Sequence, residues 1–180
     1  MGGVTSADHN AFAATARCLA AIFVIVALTG LAAAPAWAQS AREQSYQDWR
    51  VRCEQTSTNQ PESCFMFQSV AMKQNNQRIL DMAVRYPDPK QPPIAYFTLP
   101  LGIALPDGML LQVDQGEVMR LQIEVCNRAG CHTRLQLAKA MLTSMKQGKQ
   151  VKVAFDNGQR KRITVPVSLA GFTAALGALH

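Results

Sequence analysis

The sequence predicts a mainly β protein, an antiparallel sandwich or open barrel of about eight short strands with one or two short C-terminal helices. Three features point there. Apolar and polar residues alternate over short runs, which is the period of a half-buried strand. Turn chemistry separates those runs, and helical periodicity is confined to the C-terminal part of the chain.

Taken in order, residues 39–46 are polar and read as a flexible lead-in. Trp49, Val51 and Cys53 then alternate with Asp48, Arg50 and Arg52, which predicts a strand. The polar stretch Glu54–Ser63, interrupted by Pro61, is a loop, and Cys64–Val70 is the next strand. Lys73–Gln77 turns the chain into a third strand, Arg78–Tyr86. Pro87, Pro89, Pro92 and Pro93 cannot donate to a ladder, so a loop precedes the strand Ile94–Leu99. Pro100–Gly108 is a punctuated apolar stretch. Met109–Val113 and Val118–Val125 are strands around a turn at Asp114–Glu117; in the second, Met119, Leu121, Ile123 and Val125 alternate with Arg120, Gln122 and Glu124. Beyond Cys131 the period lengthens: Leu135, Ala138, Met141, Leu142 and Met145 fall at helical spacing, with Gly148 as the stop. Val151–Phe155 and Arg162–Val165 flank Asp156-Asn157-Gly158, a hairpin signal. Ser168 is placed to cap a last helix whose Leu169, Phe172, Leu176 and Leu179 share a face.

The N-terminus predicts export. Arg17 precedes an almost wholly apolar run, Cys18–Ala34, and Ala36-Trp37-Ala38 supplies the small residues a signal peptidase accepts. The run is shorter than the roughly 20 residues a spanning helix needs, and Pro35 interrupts it. The expected organisation is a signal peptide over residues 1–38, cleaved between Ala38 and Gln39, the lead-in at 39–46, and a single domain at 47–180. The mature form then carries no transmembrane span. Arg17 and Asp8 cancel, so it keeps the full charge of +6.

Cleavage removes Cys18 and leaves Cys53, Cys64, Cys126 and Cys131. An even set in an oxidising compartment predicts disulfides, and the spacing favours the local pairs Cys53–Cys64 and Cys126–Cys131. Closing the longer loop removes about 3 kcal/mol of unfolded-state entropy. Neither spacing is the C-x-x-C of an exchange catalyst. Cys126 to His132 resembles a widened haem-attachment run, but a disulfide with His132 as a neighbouring loop residue is the simpler reading.

No catalytic pattern appears: the carboxylates Asp81, Asp107, Asp114 and Glu124 are scattered, and no G-x-S-x-G, H-E-x-x-H or phosphate-loop motif is present. The methionines, among them Met66, Met82, Met109 and Met145, are dispersed at core-like positions and read as packing, not as copper ligands. No metal or cofactor is expected. Lys152, Arg160, Lys161 and Arg162 form a basic stretch suited to an acidic partner. Few aromatics accompany it and export removes DNA from reach, so nucleic acid is not the expected partner. A protein, glycan or anionic lipid of the envelope or of a host is.

Taken as an ordered set, several segments resemble the invasion-associated locus B family of alphaproteobacterial envelope proteins. They are Trp49-x-Val51-x-Cys53, Cys64, Leu99-Pro100-Leu101-Gly102-Ile103, Val113-Asp114, Cys126-x4-Cys131, the amphipathic helix, and Pro166-Val167-Ser168-Leu169-x-Gly171-Phe172. The resemblance spans roughly residues 47–176. It implies an exported protein, periplasmic, outer-membrane-associated or secreted, with a part in host-cell entry in pathogenic members, and it implies no catalytic residue. The expected function is therefore non-enzymatic binding. The alternative is a redox or chaperone-like helper using Cys126, Cys131 and His132.

Overall fold

The computed structural model describes residues 42–55 and 62–179, and within them eleven strands form two open antiparallel sheets. The large sheet contains β1 (Arg42–Tyr46), β2 (Trp49–Glu54), β3 (Ser63–Ala71), β4 (Arg78–Arg85), β5 (Ile94–Leu99), β8 (Val125–Asn127) and β9 (Gly130–Gln136), in the spatial order β1-β2-β3-β4-β5-β9-β8. The small sheet contains β6 (Met109–Val113), β7 (Val118–Leu121), β10 (Gln150–Asp156) and β11 (Arg162–Ser168), in the order β11-β10-β6-β7. The helices α1 (Lys139–Gln147) and α2 (Phe172–Gly177) complete the fold, which is the mainly β class read from the sequence. The signal segment and its Ala38–Gln39 site lie outside the described residues.

Alternation does what the sequence requires of it. In β4, Leu80, Met82 and Val84 are buried while Asp81 and Arg85 lie on the opposite, outward face; in β10, Val151, Val153 and Phe155 are buried. The inner faces of both sheets contribute to one core, in which Met66, Met82, Met109 and Met145 lie fully buried among Leu111, Phe97 and Val165.

Four local expectations are corrected. The lead-in at 39–46 is not flexible over its second half: Arg42–Tyr46 is an edge strand paired residue by residue with β2. Its side chains are exposed, so no apolar pattern announces it. Glu43 instead faces Arg52 across the ladder and accepts from Arg52 Nε and Nη2 at 3.1 and 2.6 Å and from Arg50 Nη1 at 3.2 Å. Second, Val118–Val125 is not one strand. The chain leaves the small sheet after Leu121 and joins the large one at Val125. Third, Gly130–Gln136 is a strand where helix periodicity was expected from Leu135 onward. The inward position Thr133 hides the alternation, because it is a polar residue in the core. Its hydroxyl donates to the Gln122 carbonyl at 2.7 Å, satisfying a backbone group stranded where the chain changes sheets. Fourth, Ser168 does not cap α2. Its Oγ accepts from Ala170 N at 3.1 Å, and Gly171 precedes the helix in a left-handed conformation, φ 85°.

The two ends of the domain meet at that last turn. Trp49, fully buried, donates its indole N–H to the Ser168 carbonyl at 2.9 Å and packs edge-on against Phe172 with ring centroids 5.3 Å apart. Gln68 completes the clamp: its Nε2 donates to the carbonyls of Asp48 (2.9 Å) and Ser168 (3.2 Å), and its Oε1 accepts from Ser168 N at 3.0 Å. Gly171 lies so close to the Tyr46 carbonyl that a Cβ there would collide with it.

Two outcomes follow. Trp49→Phe, which keeps a ring but removes the indole donor, should lower stability by about 1–3 kcal/mol, read as a lower urea midpoint at unchanged slope. Gly171→Ala should be clearly destabilising, because its φ of 85° and the Tyr46 carbonyl both oppose a side chain, whereas Gly177→Ala, where a Cβ meets nothing, should be neutral or stabilising.

Candidate functional site

The basic C-terminal stretch is held at the β10–β11 connection, Asn157–Lys161. Asn157 Oδ1 accepts from the amides of Gln159 and Lys161 at 3.0 and 2.9 Å, and Arg160, not Gly158, takes the left-handed conformation, φ 57°. Both arginines of the stretch face carboxylates. Arg162 forms a two-pronged pair with Asp156, at 2.7 and 2.9 Å, and Arg160 Nη1 lies 3.8 Å from Asp107. The Arg162 hydrogen bond, helped by the positive charges of Arg162, Arg120 and Arg160, holds the Asp156 carboxyl below the usual carboxylate range against a smaller opposing effect of burial. Lys161 is exposed at the tip, and Lys152 stands outward on β10 opposite Gln112 and Pro166; neither has an ion-pair partner among the described residues. The two arginines of the turn are thus paired with carboxylates, whereas the two lysines are not.

Both expected disulfides are present, and in each the two cysteines face each other directly across a ladder. Cys53 pairs Cys64 between β2 and β3, and Cys126 pairs Cys131 between β8 and β9. Cys131 is only 2% exposed. Asn127 Oδ1 accepts from the Ala129 amide at 2.8 Å, which identifies that atom as the oxygen, and the same atom lies 3.1 Å from His132 Nε2. Nε2 therefore carries the proton, and Nδ1 accepts from the Thr98 hydroxyl at 3.1 Å. With both ring nitrogens engaged inside the protein, His132 is a strut between β5 and the β8–β9 turn. Among the described residues no group of three or more His, Cys, Asp or Glu side chains is arranged to hold a metal.

Beside that strut lies a cleft of about 340 Å³. It is walled by the start of β4 (Arg78, Asp81), the end of β5 (Thr98), the following loop (Pro100, Leu101) and Arg128 of the β8–β9 turn. Asp81, Thr98 and His132 stand in one row across the outer face of the large sheet, directly opposite one another in register. Arg78 Nε lies 3.3 Å from Asp81 Oδ2, whereas Asp81 Oδ1 is buried without a hydrogen-bond partner. Arg128 is exposed and its side chain has no partner among the described residues. Leu101, 58% exposed, forms the apolar lip. Gly130 sets the wall spacing: at φ 144° it packs against the Leu99 carbonyl, where a Cβ would collide.

The sequence hides this cleft because its residues come from three separated segments, around Arg78, Thr98 and Arg128. Asp81 read as an isolated carboxylate and Arg128 as part of a general basic surplus. One local signal was available: Leu101, an apolar residue between Pro100 and Gly102, belongs to no alternating run and so has no buried face to occupy.

The model of the invasion associated locus B (IalB) protein family matches residues 49–180. The invasion protein B homologs of two Brucella abortus strains, 2308 and biovar 1 strain 9-941, are each 26% identical to this chain over 164 residues, covering 89% of it and 93% of the relative. Among solved structures, the crystal structure of invasion associated protein B from Bartonella henselae aligns with a TM-score of 0.67 at 26% identity, over 77% of this chain and 95% of that one.

Acid should open the Asp156–Arg162 pair. The folded carboxyl titrates below its unfolded value, so the pair contributes fully above the unfolded pKa and is lost as pH falls through the depressed folded one. Carboxyl resonances followed by NMR should show Asp156 titrating below an unpaired exposed aspartate, and Arg162→Gln should erase that difference.

Proposed function

This chain belongs to the invasion associated locus B (IalB) family, and we propose that it works as an exported envelope protein that binds a partner and performs no catalysis. The observation that carries the binding reading is the cleft. It is concave, has two arginines and an exposed apolar lip at Pro100 and Leu101, and that lip falls within Leu99–Ile103, one of the segments that carry the family resemblance. Sites of this kind fix a ligand by apolar contact and orient it by a few charges.

Export is supported by the chemistry of the cysteines. Two disulfides between facing strands suit an oxidising compartment. The partner belongs to the envelope or to a host surface. The names of the Brucella and Bartonella relatives carry the word invasion, and a part in invasion is proposed for this chain only where a host is present. A redox helper at Cys126 and Cys131 is the second reading. The burial of Cys131 and the engagement of both His132 nitrogens favour binding over it.

Expression of the full chain in an alphaproteobacterial host, followed by fractionation, tests the proposal. The expected result is a periplasmic or surface-associated product that begins at Gln39, has no free thiol, and associates with envelope fractions in a manner weakened by Arg128→Ala and Leu101→Ser but not by Arg160→Ala. An unprocessed cytoplasmic product with all five cysteines as free thiols would contradict it.

A further inference from the structure

We propose that the cleft binds a phosphate-headed amphiphile, with the phosphate between Arg78 and Arg128 and its alkyl body laid on Leu101 and Pro100. The inference rests on the binding reading above and names its ligand class.

The charge in the cleft favours an anion. Two arginines and a single carboxylate line it, and that carboxylate is engaged by Arg78 through one oxygen while the other is buried. Arg128 keeps all its donors, so the cleft carries a net positive charge with one unengaged guanidinium. An arginine fork fits two oxygens of an anion. A carboxylate ligand is filled by one fork, whereas the three terminal oxygens of a phosphate monoester can meet two. Arg78 is 66% exposed and its bond to Asp81 is a surface pair, so turning part of its donor set toward a ligand costs little.

The apolar half of the ligand is argued from Leu101. An isolated exposed leucine is ordinary on a protein surface. This one sits on the lip of the cleft that holds both arginines, next to Pro100, on a loop whose following glycine has φ 85° and open space around it. Apolar contact and anion contact are therefore offered a short distance apart, which matches a molecule carrying an alkyl chain directly on its phosphate. The turn bearing Arg128 is anchored on both sides, by the Cys126–Cys131 bond and by the His132–Asn127 hydrogen bond, so the site is largely formed before a ligand arrives.

The test is calorimetric titration of the purified, oxidised mature protein with three probes below their micelle concentrations: decyl phosphate, inorganic phosphate and the neutral decyl glucoside. Decyl phosphate should bind at least tenfold more tightly than either of the others. Arg128→Ala should remove most of that preference, and Leu101→Ser should weaken decyl phosphate without changing inorganic phosphate. Arg78→Gln provides a second charge variant, and unchanged circular dichroism and melting temperature identify variants that remain folded. Equal binding of decyl phosphate and decyl glucoside, or binding indifferent to Arg128 and Arg78, would overturn the proposal. If inorganic phosphate matches decyl phosphate, the site takes a free phosphate group and the alkyl part of the proposal fails. If no probe binds while Arg128→Ala still weakens envelope association, the ligand class falls and the binding function stands.

Discussion

The Ser168 carbonyl is the point on which the domain closes. It receives the Trp49 indole N–H and the Gln68 amide, while Gln68 also takes the Ser168 N–H. One residue near the C-terminus is thereby tied through both of its backbone groups to β2 and β3 of the large sheet. Such a tie matters in an open two-sheet fold, where among the described residues no ladder joins the two sheets and side-chain packing carries most of their association. An unpaired indole or amide buried at this position would cost about as much as a typical hydrogen bond contributes, or more. Satisfying all of them at one residue therefore selects a single arrangement of the ends. Phe172 against Trp49 and the contact of Gly171 with Tyr46 add shape to that selection.

The same closure leaves the far side of the large sheet free for other work. Trp49, Val51 and Met66 turn inward toward the seam, so Arg50, Arg52 and Phe67 necessarily turn outward, and the alternation continues across β4, β5 and β9. Asp81, Thr98 and His132 occupy the outer row near the cleft for that reason. The cleft then depends on two local devices. Thr133 allows the chain to cross from the small sheet to the large one without stranding the Gln122 carbonyl. Gly130 and the Cys126–Cys131 bond fold the β8–β9 turn back over Leu99 and so place Arg128 in the lining of the same cleft as Arg78.

Much of this was legible in the sequence where burial follows period. Val151–Phe155, Ile94–Leu99 and Arg78–Arg85 alternate cleanly and form strands at nearly the expected bounds. The cysteine pairing was legible because short loops close readily. What was hidden shares one physical cause, stabilisation by something other than apolar burial. The edge strand Arg42–Tyr46 is held by a ladder and by Glu43, strand β9 carries a polar residue at a core position, and the last helix starts from a left-handed glycine where a serine cap was expected. The cleft was hidden for a geometric reason, since Arg78, Leu101 and Arg128 converge only once β4, β5 and β9 are neighbours. The resemblance marked Trp49-x-Val51-x-Cys53 and Pro166–Phe172 as separate segments, and the structure joins them as the two sides of one seam.

Native-state hydrogen exchange at the seam tests this account most directly. If the Ser168 carbonyl and amide hold the ends together, the Trp49 indole N–H and the Ser168 amide exchange only through global unfolding. Their opening free energies then equal the stability measured by denaturant, while amides of β1 exchange sooner. Exchange of the indole and of Ser168 at the rate of the β1 amides, well below the global free energy, would contradict it and place the stability of the domain elsewhere.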